Sequence, residues 1–394
     1  MNSSAPIYLD HQATTPLDSR VLAEMLPWLS GRWGNPHATD HRFGRDAAEA
    51  IQAARRQVAA LIGASAREIV FTSGATESNN LLLKGAAAMM AATGRPRIVT
   101  CATEHKAVLE VLAGLERQGH PVTILDVPAS GILDTDAIEY ALSQDVGLVS
   151  IMAVNNEIGV EQPVAAIGAL CRRTGTLFHT DAAQAAGKIP LDVAAAGIDL
   201  LSISGHKFYG PQGIGAAYVR RQLWANFPAQ MQGGGQEGGL RSGTLPTPLC
   251  VGIGCAAQIA ASEMADERTR LTGFRDRFLA LLDDAGIAYE LNGDLARRWP
   301  GNLNLSFAAV DAEALLMLVG DRLALSSGSA CTTRSLDASH VVMALGGGVA
   351  RAETAIRIGF GRSTTDDEID TAAAILINAV QRLRRVSSAA VGGI

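Results

Sequence analysis

The tetrapeptide Ser204-Gly205-His206-Lys207 closes the apolar run 198–203, and His179-Thr180-Asp181-Ala182-Ala183-Gln184 stands at the end of an earlier apolar run. A lysine amine can hold a carbonyl cofactor as a Schiff base, while a carboxylate elsewhere keeps a pyridine nitrogen protonated. Lys207 and Asp181 are therefore the residue types that pyridoxal phosphate chemistry asks of a protein. A lysine by itself is more often a solvated surface cation. What else converges with it decides between the two.

Four further groups carry chemistry. Gly74-Ala75-Thr76 lies between a strand-like run and a helix expected from about Glu77, where free N–H groups and the helix dipole suit a phosphate. A turn with an ordinary helix cap has the same appearance. Ser204 and His206 add possible phosphate donors beside Lys207. His105, after the run 98–103, suits stacking on an aromatic cofactor and proton exchange near neutral pH, or is a hydrogen-bonded strand-end histidine. Cys331 sits in Ser326-Ser327-Gly328-Ser329-Ala330-Cys331-Thr332-Thr333, as a nucleophile if its thiolate is favoured, or as a half-buried loop thiol. Arg357, in Ala355-Ile356-Arg357-Ile358-Gly359, can clamp a carboxylate or be a solvated edge-strand arginine.

The elements that must position these groups follow from periodicity. Over 46–62, Ile51, Ala54, Val58, Leu61 and Ile62 recur mostly at spacings of three and four before Gly63, the signature of an amphipathic helix and its stop. Short β-rich runs at 68–71, 97–100, 123–125, 148–152, 177–180 and 200–202 read as buried strands. Their alternation with helices predicts an α/β fold with a mainly parallel sheet. Ligands of such sheets bind beyond the carboxyl ends of the strands, so polar groups distant in sequence can meet there. The Gly-rich segment 233–239, ahead of Arg241-Ser242-Gly243-Thr244, reads as a functional loop or a linker. A second α+β region begins near 291. The expected division is a large cofactor-binding domain over 15–260 and a smaller domain of 1–14 and 261–394 that carries the Cys331 loop.

The 394 residues hold 33 Lys plus Arg against 39 Asp plus Glu, a net charge of −6. With no long basic run, nucleic acid and anionic membranes are not expected partners. The start has no basic-then-apolar leader, and the apolar stretch near 249–261 is short of a bilayer span. A soluble, cytoplasmic protein acting on a small molecule is the expectation. The 5 cysteines are scattered without a C-x-x-C pair, which argues against a disulfide framework or structural zinc.

Jointly these residues resemble a family. Tyr8-Leu9-Asp10, Ala13-Thr14-Thr15-Pro16, Gly34-Asn35-Pro36, the stretches FTSGATES (71–78), VNNEIG (154–159), SGHKFYG (204–210), RSGTLP (241–246) and SSGSACT (326–332), with Thr103-Glu104-His105-Lys106, are similar to those of the cysteine desulfurases, in the group with the longer catalytic loop. The resemblance covers nearly the whole chain and implies a fold-type I pyridoxal 5'-phosphate enzyme and a homodimer. It implies that Lys207 binds the cofactor covalently, with Asp181 at the pyridine nitrogen, Gln184 at the ring hydroxyl and His105 stacked on the ring. Ala75, Thr76, Ser204 and His206 would hold the phosphate, joined by Thr244 from the neighbouring subunit. Asn156 and Arg357 would orient L-cysteine, and Cys331 would take its sulfur as a persulfide, leaving L-alanine. A sulfur-acceptor protein, such as an iron–sulfur scaffold or a thiolation system, is the implied partner. Selenocysteine lyase chemistry, another fold-type I activity such as an aminotransferase, and a non-catalytic sulfur-trafficking scaffold are the alternatives.

Overall fold

The computed structural model describes residues 5–327 and 338–391. After β1 (Ile7–Tyr8), α1 (Ser19–Ser30) and α2 (Arg42–Leu61), strands and helices alternate. The series runs β2 (Ile69–Thr72), α3 (Ala75–Ala91), β3 (Arg97–Cys101), α4 (Lys106–Arg117), β4 (Val122–Leu125), α5 (Thr135–Ala141), β5 (Val146–Ser150), α6 (Val164–Thr174), β6 (Leu177–Asp181), α7 (Val193–Ala196), β7 (Leu200–Ser204) and β8 (Gly215–Val219). Strands β2 to β8 make one 7-stranded sheet in the order β2-β8-β7-β6-β5-β3-β4. β3 to β7 pair in parallel, and β8 runs antiparallel to both β2 and β7. Every residue of β5, β6, β7 and β8 is buried, which is why these strands read as continuous apolar runs rather than as alternations. The expected α/β class is borne out.

α2 starts four residues before the expected 46, because the His41 side chain accepts from Gly44 N at 3.1 Å and caps the helix. Its buried face, Ile51, Ala54 and Val58, packs on α8 (Thr247–Asp284), a helix of 38 residues. By length and composition α8 could cross a bilayer. Its Cys250, Ile253, Ala257 and Ala260 are instead buried inside the protein, where they extend the core shared with α1 and α2.

α8 also carries the chain to a second sheet. β9 (Glu290–Leu291), β10 (Asn302–Ser306), β12 (Ser326–Ser327) and β13 (Ala355–Gly359) form 4 antiparallel strands in the order β12-β13-β10-β9, while β1 pairs in parallel with β11 (Leu323–Ala324). Arg357 is thus on a central strand and only 1% exposed, so the edge-strand alternative is wrong. The segment after β1 ties the two sheets together: Gly359 N donates to Leu9 O, Gln12 Nε2 donates to Gly301 O, and Thr15 N donates to His206 O.

Candidate functional site

A cavity of about 370 Å³ opens where the carboxyl ends of β2, β3, β5, β6 and β7 meet, as expected for an open α/β sheet. It is lined by Ala75, Thr76, His105, Asn156, Asp181, Gln184, Ser204, His206, Lys207 and Arg357 among others. Ten of the residues singled out in the sequence therefore meet in one place. Cys331 lies outside the described residues. Thr244 is exposed and does not line this cavity, so one protomer does not bring it to the site.

Lys207 follows β7 in a short 3-10 turn, and its Nζ donates to Gln12 O and Ala13 O, each at 2.7 Å. Gln184 Nε2 donates to the same Gln12 carbonyl at 2.8 Å. Gln12 thus serves the site through its backbone. No side-chain pattern could have announced it.

Asp181 ends β6, level with Ser202 on β7. Its Oδ1 accepts from Ala183 N at 2.9 Å and its Oδ2 from Asn79 Nδ2 at 2.7 Å. Behind Asn79 runs a buried chain. Ser202 Oγ donates to Asn79 Oδ1 at 2.5 Å, which leaves the hydroxyl oxygen to accept from His179 Nε2 at 3.2 Å. His179 Nδ1 must then accept from Ser150 Oγ, 2.9 Å away, since a neutral imidazole has one donor and one acceptor. Burial pushes His179 down to about 4, so the ring is neutral, as this chain requires. All the donor groups of this chain point toward Asp181. Asn79 and His179 were not picked out in the sequence. A buried Asn inside the Leu- and Ala-rich α3 was the available signal.

His105 caps α4: its Nδ1 accepts from Ala107 N at 3.0 Å, which leaves the proton of the neutral ring on Nε2. Burial lowers its pKa, partly offset by Asp181. His206, held to Thr14 Oγ1 at 3.0 Å, is pushed down to about 4 by burial and by the Lys207 and Lys188 charges. Both are uncharged hydrogen-bonding groups at neutral pH.

α3 begins at Ala75, two residues before the expected start, and its N-cap Gly74 supplies no side-chain cap. With φ 150°, Gly74 takes a conformation that L side chains rarely adopt. The first N–H groups of a 17-residue helix are therefore left for an anion beside Ser204 and His206. Across the cavity, Arg357 Nη2 binds Asp10 Oδ1 at 2.9 Å and Nη1 binds Asn156 O at 3.1 Å. Among the described residues, Arg357 Nε and Asn156 Oδ1 are buried with no protein partner. Buried polar atoms without partners are rare and mark where a ligand completes the bonding.

An aminotransferase class-V family model matches residues 7–371. The cysteine desulfurase IscS of Rickettsia africae is 49% identical over 386 residues, spanning 98% of this chain and 94% of that protein. A cysteine desulfurase of Mus musculus is 50% identical over 382 residues, 97% of this chain and 83% of its own. Among solved structures, a NifS-like protein is similar with a TM-score of 0.87 at 34% identity, covering 98% of this chain and 100% of that one. SspA in complex with cysteine has a TM-score of 0.80 at 37% identity over 90% of this chain and 98% of its own.

Proposed function

The chain belongs to the aminotransferase class-V family and is a cysteine desulfurase, and from that premise we propose how its residues divide the work. The cavity fits pyridoxal 5'-phosphate: an uncapped helix N-terminus for the phosphate, an acceptor-only carboxylate for the pyridine nitrogen and an amine for the carbonyl carbon. When bound, that cofactor supplies an electron sink for the bonds at the substrate's Cα. Ala75, Thr76, Ser204 and His206 hold its phosphate, Asp181 its pyridine nitrogen and Gln184 its ring hydroxyl, with His105 against the ring.

Lys207 is the attachment point. Once its amine is released it carries the proton of the substrate Cα. Arg357 and Asn156 orient L-cysteine, the guanidinium through the substrate carboxylate, using the Nε and Oδ1 that the described residues leave unpartnered. Cys331 takes the sulfur: its thiolate attacks the substrate sulfur, the substrate C–S bond breaks, and a persulfide and L-alanine result. The protein is a cytoplasmic homodimer, with Thr244 reaching the phosphate of the neighbouring site, and it passes sulfur to an acceptor protein such as an iron–sulfur scaffold.

The observation that carries this reading is the convergence of Lys207, Asp181, Gln184 and the uncapped α3 on one cavity. Purified protein reconstituted with the cofactor and given L-cysteine is expected to release alanine and to gain one sulfur atom on Cys331 by mass spectrometry. A Cys331→Ala variant is expected to keep the visible absorbance and lose sulfur release. If alanine formed at the parental rate in that variant, Cys331 would not be the acceptor.

A further inference from the structure

A second lysine lies under the cavity floor. Lys188 is 6% exposed and does not line the cavity, and its Nζ donates to Gln184 Oε1 at 2.6 Å. At the other end of that amide, Nε2 donates to Gln12 O, the carbonyl that also accepts from Lys207 Nζ. Burial, with the charges of Lys207 and Arg357 adding and Glu267 opposing, pushes Lys188 down to about 7. An amine in such a place costs free energy that an apolar chain would not.

The contacts say what the amine does there. A primary amide has one acceptor end and one donor end. A carbonyl only accepts, so Gln12 O demands Nε2, while Lys188 holds Oε1 on the opposite side. The two contacts agree and lock both the flip and the rotamer of Gln184. One Nε2 hydrogen is used by Gln12 O, and the second is left for the cavity.

We propose that Lys188 is a positioning residue for the cofactor ring, clamping Gln184 so that its remaining Nε2 hydrogen is aimed at the ring oxygen beside Lys207. This rests on the reading that pyridoxal phosphate occupies the cavity. A firm donor stabilises that oxygen as an anion, so the Schiff base on Lys207 gives up its proton at lower pH. Loosening the donor moves the titration upward.

The test titrates the visible absorbance of the reconstituted protein with pH. In Lys188→Met the midpoint is expected to rise by about half a pH unit or more, roughly a threefold change in the equilibrium, and cofactor affinity to fall by a similar factor. Lys188→Gln returns a donor without the charge and is expected to recover most of the shift. In a Gln184→Ala background the Lys188→Met shift is expected to vanish, since there is no amide left to clamp. A Met midpoint equal to the parent's would overturn the proposal, and so would a shift that persists without Gln184, which would mark a pure charge effect. Should Lys188→Met fail to fold, Lys188→Gln carries the test, and a shift as large as that of Gln184→Ala overturns it. A parent that shows no visible band with the cofactor would sink the cofactor reading itself, so the two failures are distinguishable.

Discussion

At the scale of single residues, the site separates groups that must be charged from groups that must not. Asp181 presents two oxygens, each already accepting a hydrogen bond, and is proposed to meet the pyridine nitrogen. Asp181→Asn keeps the size but removes the charge, so kcat is expected to fall by about 100-fold or more, the usual worth of a positioned ionic or proton-transfer group. Steady-state assays of alanine release check this, and a loss below tenfold would remove Asp181 from the chemistry. Glu104 is the opposite case. It is fully buried, its Oε1 accepts from Met152 N at 2.5 Å and its Oε2 has no partner among the described residues, and burial raises its pKa well above 4.5. A carboxyl raised in the folded state contributes stability that is present below the unfolded value and lost as pH rises through the folded value. Glu104→Gln removes that titration while keeping the acceptor for Met152 N. The melting temperature of the variant, relative to the parent, is therefore expected to climb between about pH 4.5 and pH 8. A constant difference across that range would mean that Glu104 is charged in the fold.

At the scale of elements, the close approach of β8 to the head of α3 fixes where the phosphate site can form. A Cβ on Gly215 would stand 2.4 Å from Ile203 O and 2.5 Å from Gly74 Cα, both backbone atoms. Gly215→Ala must push α3 outward, and we expect a loss of about 1–3 kcal/mol in urea unfolding together with weaker cofactor binding. Unchanged affinity would show that the α3 N-terminus does not depend on this contact. The same crowding explains what the sequence concealed. All six expected strands reappear within about two residues at each end, because buried β-branched runs are hard to mistake. β8, Gly215-Ala216-Ala217-Tyr218-Val219, was missed, since the small residues that let it lie against Gly74 are poor strand formers. The site was legible where its residues act through side chains at strand ends, as Lys207, Asp181 and Thr76 do. It was not legible where a backbone carbonyl acts, as at Gln12, or where a buried Lys188 or Asn79 touches its target only after the chain has folded.

At the scale of the whole molecule, one protomer leaves apolar surface uncovered near its N-terminal helices. Trp33 is 68% and Phe43 55% exposed, and their rings stack on each other at 5.9 Å, with Leu22, Leu26 and Leu29 also exposed on α1. Large exposed apolar side chains in one region are characteristic of association surfaces, in keeping with the proposed homodimer. Thr244 is exposed and does not line its own protomer's cavity, which suits a residue that serves the neighbour. A two-fold dimer in which each site borrows Thr244 makes a sharp prediction about mixed subunits. Lys207→Ala removes the attachment point from a protomer's own site, and Thr244→Asp spoils the partner's site by setting a negative charge against the phosphate. Each variant alone is expected to be nearly inactive. In a heterodimer of the two, the protomer that keeps Lys207 receives the intact Thr244, so one of the two sites is complete. Equal amounts unfolded, mixed and refolded together are then expected to regain about a quarter of parental activity, because half of the dimers are mixed and each has one working site. Absence of any recovery, with dimers confirmed by light scattering, would place Thr244 in its own protomer's site, and full activity of Thr244→Asp alone would place it outside the chemistry.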